Sequence, residues 1–169
     1  MTNEHDWDTL QARWHAESES AQTDEPEVLT FDEVDGNGVL TFGSGRAGEL
    51  DGWPVFRLRH RHPTEPAPVL REAELLLVVR VVAEEADRSE FRRWLDEEHC
   101  RLQVTLPGVH WYLGYEEDGD RHSFLNLWSI DAPEIVDGGE WARVRDTPWW
   151  ARVSHVPEGA DRGVYRRRT

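Results

Sequence analysis

The 169-residue chain contains no lysine: all 19 of its basic residues are arginine, against 34 acidic residues, for a formal net charge of −15. So little positive charge excludes nonspecific binding to a nucleic-acid backbone or an anionic membrane, both of which draw on basic clusters. A single cysteine, Cys100, excludes an intrachain disulfide. No apolar run approaches the ~18 residues of a spanning helix, and the N-terminal stretch MTNEHDWD has no basic n-region or apolar h-region. These absences predict a cytoplasmic protein with neither a nucleic-acid nor a membrane partner.

Tryptophan, in contrast, is abundant. Nine indoles in a chain that is 38% hydrophobic mean that large rings supply much of the buried area, some of them with N–H groups that need acceptors. An aromatic-walled pocket is the expected consequence.

The chain reads as two regions. In residues 1–70, the spacing of Trp7, Leu10 and Trp14 predicts a short amphipathic helix over residues 5–17. A polar segment, Ser18 to Pro26, follows it. Strands are expected at residues 28–33 and 38–43, around the turn Asp35-Gly36-Asn37-Gly38, and again at 55–60. Pro63, Pro66 and Pro68 then mark a boundary.

Residues 71–169 carry the stronger pattern. Leu75 to Val82 is an apolar run broken only by Arg80, as for a strand covered on both faces. Asp87 to Glu90 resembles a capping box, with Asp87 opening a helix that ends at Pro107-Gly108. Strands at 109–115 and 122–130, a helix over 140–154 interrupted by Pro148, and a strand near 163–166 complete the order β-α-β-β-α-β. The fold class is therefore α+β: a ferredoxin-like sheet with an N-terminal extension of one helix plus strands.

Three motifs promise more than they hold. Gly43 to Gly48 matches a dinucleotide fingerprint, but Gly52 and Pro54 leave no room for the helix it needs. Glu33 to Ser44 overlays a calcium loop yet lacks its closing carboxylate. His60 and His62 share a strand face, but Pro63 ends the strand and Arg57, Arg59 and Arg61 would repel a cation, so no metal site is expected.

Chemistry concentrates in the second region. His99 falls on the inward stripe of Phe91, Leu95 and Leu102. Strand parity separates Leu125 and Leu127 from His122, Phe124, Asn126 and Trp128, and His110 and Tyr112 from Trp111 and Leu113. If the aliphatic faces meet the helices, the open face carries Arg80, His110, Tyr112, His122, Asn126 and Trp128. Each also has a bland reading, as a partly exposed strand residue, an ion pair or a hydrogen-bonded core histidine.

Trp94-Leu95-Asp96-Glu97-Glu98-His99, then Leu106-Pro107-Gly108, Phe124 to Trp128, Thr147-Pro148-Trp149 and Arg162 to Tyr165 together resemble the dimeric α/β-barrel superfamily, particularly its EthD-like members. The resemblance covers residues 73–169. It implies a position for His99 at a pocket mouth, and a homodimer with two facing sheets, unless residues 1–70 form a degenerate repeat that completes the barrel within one chain. The superfamily includes cofactor-independent monooxygenases, muconolactone-type isomerases, polyketide cyclases and haem-dependent enzymes, so function follows only by analogy.

The leading expectation is a cofactor-free enzyme of specialised metabolism, a cyclase or isomerase acting on an aromatic or polyketide-like substrate. His99 or His110 would be its general base, Arg80, Asn126 or Tyr112 would polarise a carbonyl, and Trp94, His122, Phe124 and Trp128 would contact the ligand. Three alternatives stay open: a cofactor-independent oxygenase, a haem enzyme with His99, His110 or His122 as axial ligand, and a noncatalytic ligand-binding or partner-stabilising subunit.

Overall fold

The computed structural model describes residues 7–16, 28–44, 52–64, 66, 68–119 and 123–169. Eight antiparallel strands, β1 (Thr9–Ala16), β2 (Val28–Glu33), β3 (Gly38–Ser44), β4 (Val55–His62), β5 (Leu75–Val82), β6 (Val109–Glu117), β7 (Ser123–Ile130) and β8 (Asp161–Arg167), close into one barrel. Around the ring they run β1-β3-β2-β8-β5-β7-β6-β4. Each half of the chain therefore contributes a four-stranded sheet with the same order, β4-β1-β3-β2 and β8-β5-β7-β6. The β2–β8 and β4–β6 pairings seal the two seams.

Alternation within each strand fills the ring. Leu10 and Ala12 from β1, Phe31 from β2, Leu40 and Phe42 from β3, Phe56 from β4, Leu76 and Val78 from β5, Leu113 and Tyr115 from β6, Leu125 and Leu127 from β7 and Tyr165 from β8 form one buried cluster. An eight-stranded barrel has an interior that side chains can just fill, so this space is core. The opposite face of the second sheet lies beneath helices: Leu75, Leu77, Tyr112 and Trp128 pack with Cys100, Leu106 and Trp141, while Val81 and Phe124 pack with Phe91, Trp94 and Val153.

On β5 the helices cover the expected aliphatic face; on β6 a bulge between Val109 and Trp111 breaks the expected parity and puts Val109 beside Tyr112; on β7 the parity is as expected but the helices cover the other face. The aliphatic Leu125 and Leu127 look into the barrel, and the aromatic and polar set of Phe124, Asn126 and Trp128 lies under the helices. The reason is closure: the ring interior takes the more apolar face, and a polar group there, such as the Tyr115 hydroxyl, needs a protein partner, here the Trp7 carbonyl.

The N-terminal helix expected over 5–17 is also corrected, because Thr9–Ala16 is strand β1, paired with β3 along its length and with β4 at Leu10↔Phe56. The Leu10-to-Trp14 spacing of four is even and therefore serves a strand as well as a helix, and Ala12 completes the inward row. The Ser18–Pro26 segment and most of the Gly43–Gly48 loop lie outside the described residues. Glu33 accepts a hydrogen bond from the Gly38 N–H at 3.0 Å across the turn expected there.

Helix α1 (Glu85–Trp94) begins two residues before Asp87, with Glu84 as its N-cap. Asp87 is thus inside the first turn, where a carboxylate still suits the helix dipole. A π-turn, Leu95–His99, continues α1 into α2 (Cys100–Gln103). Gly108 then turns the chain with φ +80, and a Cβ there would lie 2.6 Å from Ile135 Cδ1. The second helical region is split into α3 (Gly139–Arg145) and α4 (Trp150–Val153), with Pro148 in the break. Thr147 Oγ1 accepts from the Trp150 N–H and donates to Glu98 at 2.5 Å, tying α4 to the π-turn. No helix among the described residues is long and apolar enough to cross a membrane.

Because the seams join both sheets through one core, the barrel should unfold as a unit. Phe56→Ala in β4, which is fully buried, should cost about 3–5 kcal/mol. Urea melts followed by tryptophan fluorescence and by far-UV circular dichroism should still coincide; separated transitions would mean that the halves are independent.

Candidate functional site

Between the second sheet and its helices lies a cavity of about 350 Å³. Leu77 and Val79 from β5 and Asn126 and Trp128 from β7 form its floor; Trp94 and His99 from the first helical segment and Trp141, Arg145 and Trp150 from the second form its walls. The volume lies within the range of small-molecule sites, and the lining is largely aromatic with a few polar groups, as such sites require.

His99 is 7% exposed. Its ring stacks on Trp94, with centroids 4.2 Å apart and planes 22° apart, and meets Trp128 edge-on at 5.7 Å. Trp141 packs on Trp128 and Trp150 on Trp94, extending the aromatic wall in both directions. Burial, reinforced by the Arg145 charge, pushes the His99 imidazole down to about 3, so the ring is neutral at physiological pH. Three buried polar atoms of pocket-lining residues have no hydrogen-bond partner: His99 Nδ1, Trp128 Nε1 and Arg145 Nε. Such orphans are uncommon in a native interior, and these three belong to residues that line one pocket.

Asn126 is held from behind. Its Oδ1 accepts from the Tyr112 hydroxyl at 2.7 Å, and its Nδ2 donates to the Val79 carbonyl at 3.3 Å, leaving one N–H of that amide. The Tyr112 hydroxyl in turn accepts from Arg59 at 3.0 Å, and Arg59 pairs with Asp96 on the π-turn. Tyr112 is wholly buried and pushed up to about 12, so it remains a neutral donor. Gly114 makes this arrangement possible, since a Cβ there would collide with both the Tyr112 hydroxyl and the Arg59 guanidinium.

Of the residues singled out from sequence, His99, Asn126, Trp128 and Trp94 line one pocket, and Tyr112 stands one hydrogen bond behind it. Phe124 packs on Phe91 and lies under the Arg59 guanidinium. The structure does not bring Arg80 and His110 to this site. Arg80 shares the parity of Leu76 and Val78, so it bonds Ser123 and Glu117 and overlies Trp14. His110 is exposed at a sheet end, 2.6 Å from Asp131. His122 lies outside the described residues.

Sequence reading missed Trp141 and Arg145, although their spacing of four on α3 puts both on one helix face. It also missed Arg59 and Asp96, whose pairing spans 37 residues and leaves no local signal.

Arg59 has a side chain only 2% exposed, so Asp96→Ala, which strands its charge, should destabilise the protein by about 3 kcal/mol in urea melts, whereas Arg59→Met combined with Asp96→Leu should recover most of the loss. For His99, the native pKa lies below the unfolded value, so the unfolded chain binds the extra proton and stability falls as pH drops from 6.5 toward 3. His60 and His62, also lowered by burial, act in the same direction. Thermal melts of His99→Gln should show a shallower acid slope than wild type across that window, whatever the change at pH 7.

No family model matches the chain, and no curated protein sequence matches it. Solved structures do. An uncharacterised ferredoxin-fold protein related to antibiotic biosynthesis monooxygenases from Listeria monocytogenes aligns with TM-score 0.64 and 9% identity, over 95% of this chain and 94% of that one. An anthrone oxidase-like protein aligns with TM-score 0.62 and 10% identity, over 95% and 91%. A haem-degrading enzyme from Listeria monocytogenes aligns with TM-score 0.55 and 9% identity, over 94% and 98%. At such identities the likeness carries the fold alone: the chain has an α+β, ferredoxin-like fold.

Proposed function

We propose that the chain is a small-molecule enzyme that removes a proton from an acidic position of a planar aromatic or polyketide-like substrate held in the sheet–helix pocket. The observation that carries this reading is that His99, Trp128 and Arg145, each with a buried polar atom lacking a partner, line one aromatic-walled cavity. His99 is the proton acceptor. A neutral imidazole keeps its lone pair available, and its protonation becomes less costly when an anion forms beside it. Asn126, fixed by Tyr112, offers its remaining N–H to the substrate oxygen on which negative charge develops.

The fate of that anion separates the two enzyme readings. In an oxygenase the substrate carbanion reacts with dioxygen; a CH2 becomes C=O, one oxygen atom is retained and the other leaves as water. In an isomerase or cyclase the proton returns at another position. The likeness to monooxygenase-like and anthrone oxidase-like proteins favours the oxygenase, which needs no side chain beyond those already placed. Haem is the second reading. Among the three histidines considered for it, His99 alone lines the pocket in the described residues, and its Nδ1 lacks a partner. The four strands before Pro63 are read as a degenerate repeat whose closure makes a second copy unnecessary for the pocket.

With anthrone as substrate, wild type should consume oxygen, whereas His99→Ala should lose at least about 100-fold in kcat while binding the substrate with unchanged Kd. Trp128→Ala should weaken binding instead. Because His99 stays neutral, the kcat/KM profile should show no limb near pH 6.5. Turnover without oxygen uptake would move the assignment to isomerase or cyclase, and an intense Soret band after mixing with haemin, abolished in His99→Ala, would move it to haem. Binding that is indifferent to His99 with no turnover would leave a noncatalytic binding subunit.

A further inference from the structure

The pocket has a cation at its edge that the protein leaves under-neutralised. Arg145, on the last turn of α3, has its guanidinium carbon over the Trp150 ring, 5.0 Å from the centroid. Its Nε is buried without a partner although the side chain as a whole is 37% exposed, and the carboxylate paired with it, Asp146, is 3.8 Å away, beyond hydrogen-bond reach. The other pocket-lining arginine is engaged: Arg162 donates to the Val136 carbonyl at 2.8 Å and pairs with Asp137 at 3.4 Å. Glu158, also in the lining, is exposed at the rim. In a chain with 34 carboxylates for 19 cations, a buried guanidinium nitrogen without an acceptor is against the general trend of the surface.

We propose that Arg145 is the anion-binding corner of this pocket, and that its ligand is a planar aromatic carrying a carboxylate, with the rings between Trp94, Trp128 and Trp141 and the carboxylate on the guanidinium. This rests on the reading of the pocket as an aromatic substrate site and names the class of substrate. Arginine suits the role because its fork matches a carboxylate edge, and stacking on an indole pre-orders it at small entropic cost. The same charge helps to keep His99 neutral, so a ligand carboxylate that offsets it makes His99 a stronger proton acceptor once the substrate is in place.

Tryptophan quenching and calorimetry with two probes of the same ring substitution, naphthoate and its neutral counterpart naphthalenemethanol, test the idea. Wild type should bind naphthoate about tenfold more tightly, the size expected of one charge-assisted contact, and the preference should shrink in high salt. Arg145→Gln should abolish the preference while leaving naphthalenemethanol affinity unchanged, which also shows that the variant is folded; Arg145→Lys should retain part of it. Equal affinities in wild type, or a preference that survives Arg145→Gln, would overturn the anion corner. If naphthalenemethanol still binds and Trp128→Ala weakens it, the aromatic pocket stands and only the anion corner fails. If neither probe binds, both fall.

Discussion

Closing eight antiparallel strands into a ring leaves every strand with one face that meets only other side chains. That face must be largely apolar and of the right volume, because a polar group there has to find its partner within the protein, as the Tyr115 hydroxyl does in the Trp7 carbonyl. Leu76, Val78, Leu113, Leu125 and Leu127 meet the demand from the second sheet, and Leu10, Ala12, Leu40, Phe42 and Phe56 from the first. Everything unsuited to that interior is displaced to the outer face. On β7 this sends Asn126 and Trp128 outward, where helices cover them and a cavity remains between the layers. The site is where it is because the barrel interior is full.

The same constraint explains which parts of the molecule were legible in the sequence. The strands of the second sheet were legible because period-two alternation and Gly or Pro punctuation are local signals. The break at Pro148 was legible for the same reason, since proline cannot continue a helix. Strand β1 was not, since Leu10 and Trp14 stand four apart and the pairing that decides between helix and strand comes from β3 and β4, far along the chain. Nor was the face that the helices cover: parity sorts a strand into two sides, but which side meets a helix depends on whether the sheet closes. Arg80, His110 and Asn126 were grouped on the premise that the aliphatic faces meet the helices, which holds on β5 but fails on β7, and the β6 bulge takes His110 off the Tyr112 face. Arg80 actually follows the interior parity to the barrel end, where Glu117 and Ser123 receive it, and His110 stops at a sheet edge beside Asp131.

Long-range electrostatics was the least legible of all. Arg59 comes from β4 in the first sheet, yet its charge is neutralised on the π-turn of the second half and its donors reach Tyr112. A buried guanidinium tolerates little error: it needs a carboxylate, acceptors for its other N–H groups and room to pass. Asp96 and Tyr112 receive its two terminal nitrogens and Gly114 leaves the room, while its Nε stays without a partner. The consequence is functional as well as structural, because the Asn126 amide takes its orientation from Tyr112, and thus indirectly from a residue in the other half of the chain. A π-turn at Leu95–His99 fits this arrangement, since the extra residue in the turn shifts the register so that Asp96 meets Arg59 while His99 meets the pocket.

The electrostatic state of His99 follows from the same packing. An imidazole enclosed by Trp94 and Trp128, with a cation nearby, is held neutral far below its ordinary pKa. Taken alone that makes it a weak base, which argues against acid–base work in an empty pocket. With an acidic substrate bound the balance changes, because transferring a proton from substrate to His99 creates a close ion pair in a site of low dielectric, and the attraction between the new charges offsets the desolvation that had kept the ring neutral. Base strength of this kind exists only toward a partner that becomes an anion in place. It therefore selects substrates by their acidity as well as their shape, and it leaves the unliganded pocket uncharged at His99. That combination suits a chemistry in which a reactive carbanion must be formed and kept from water.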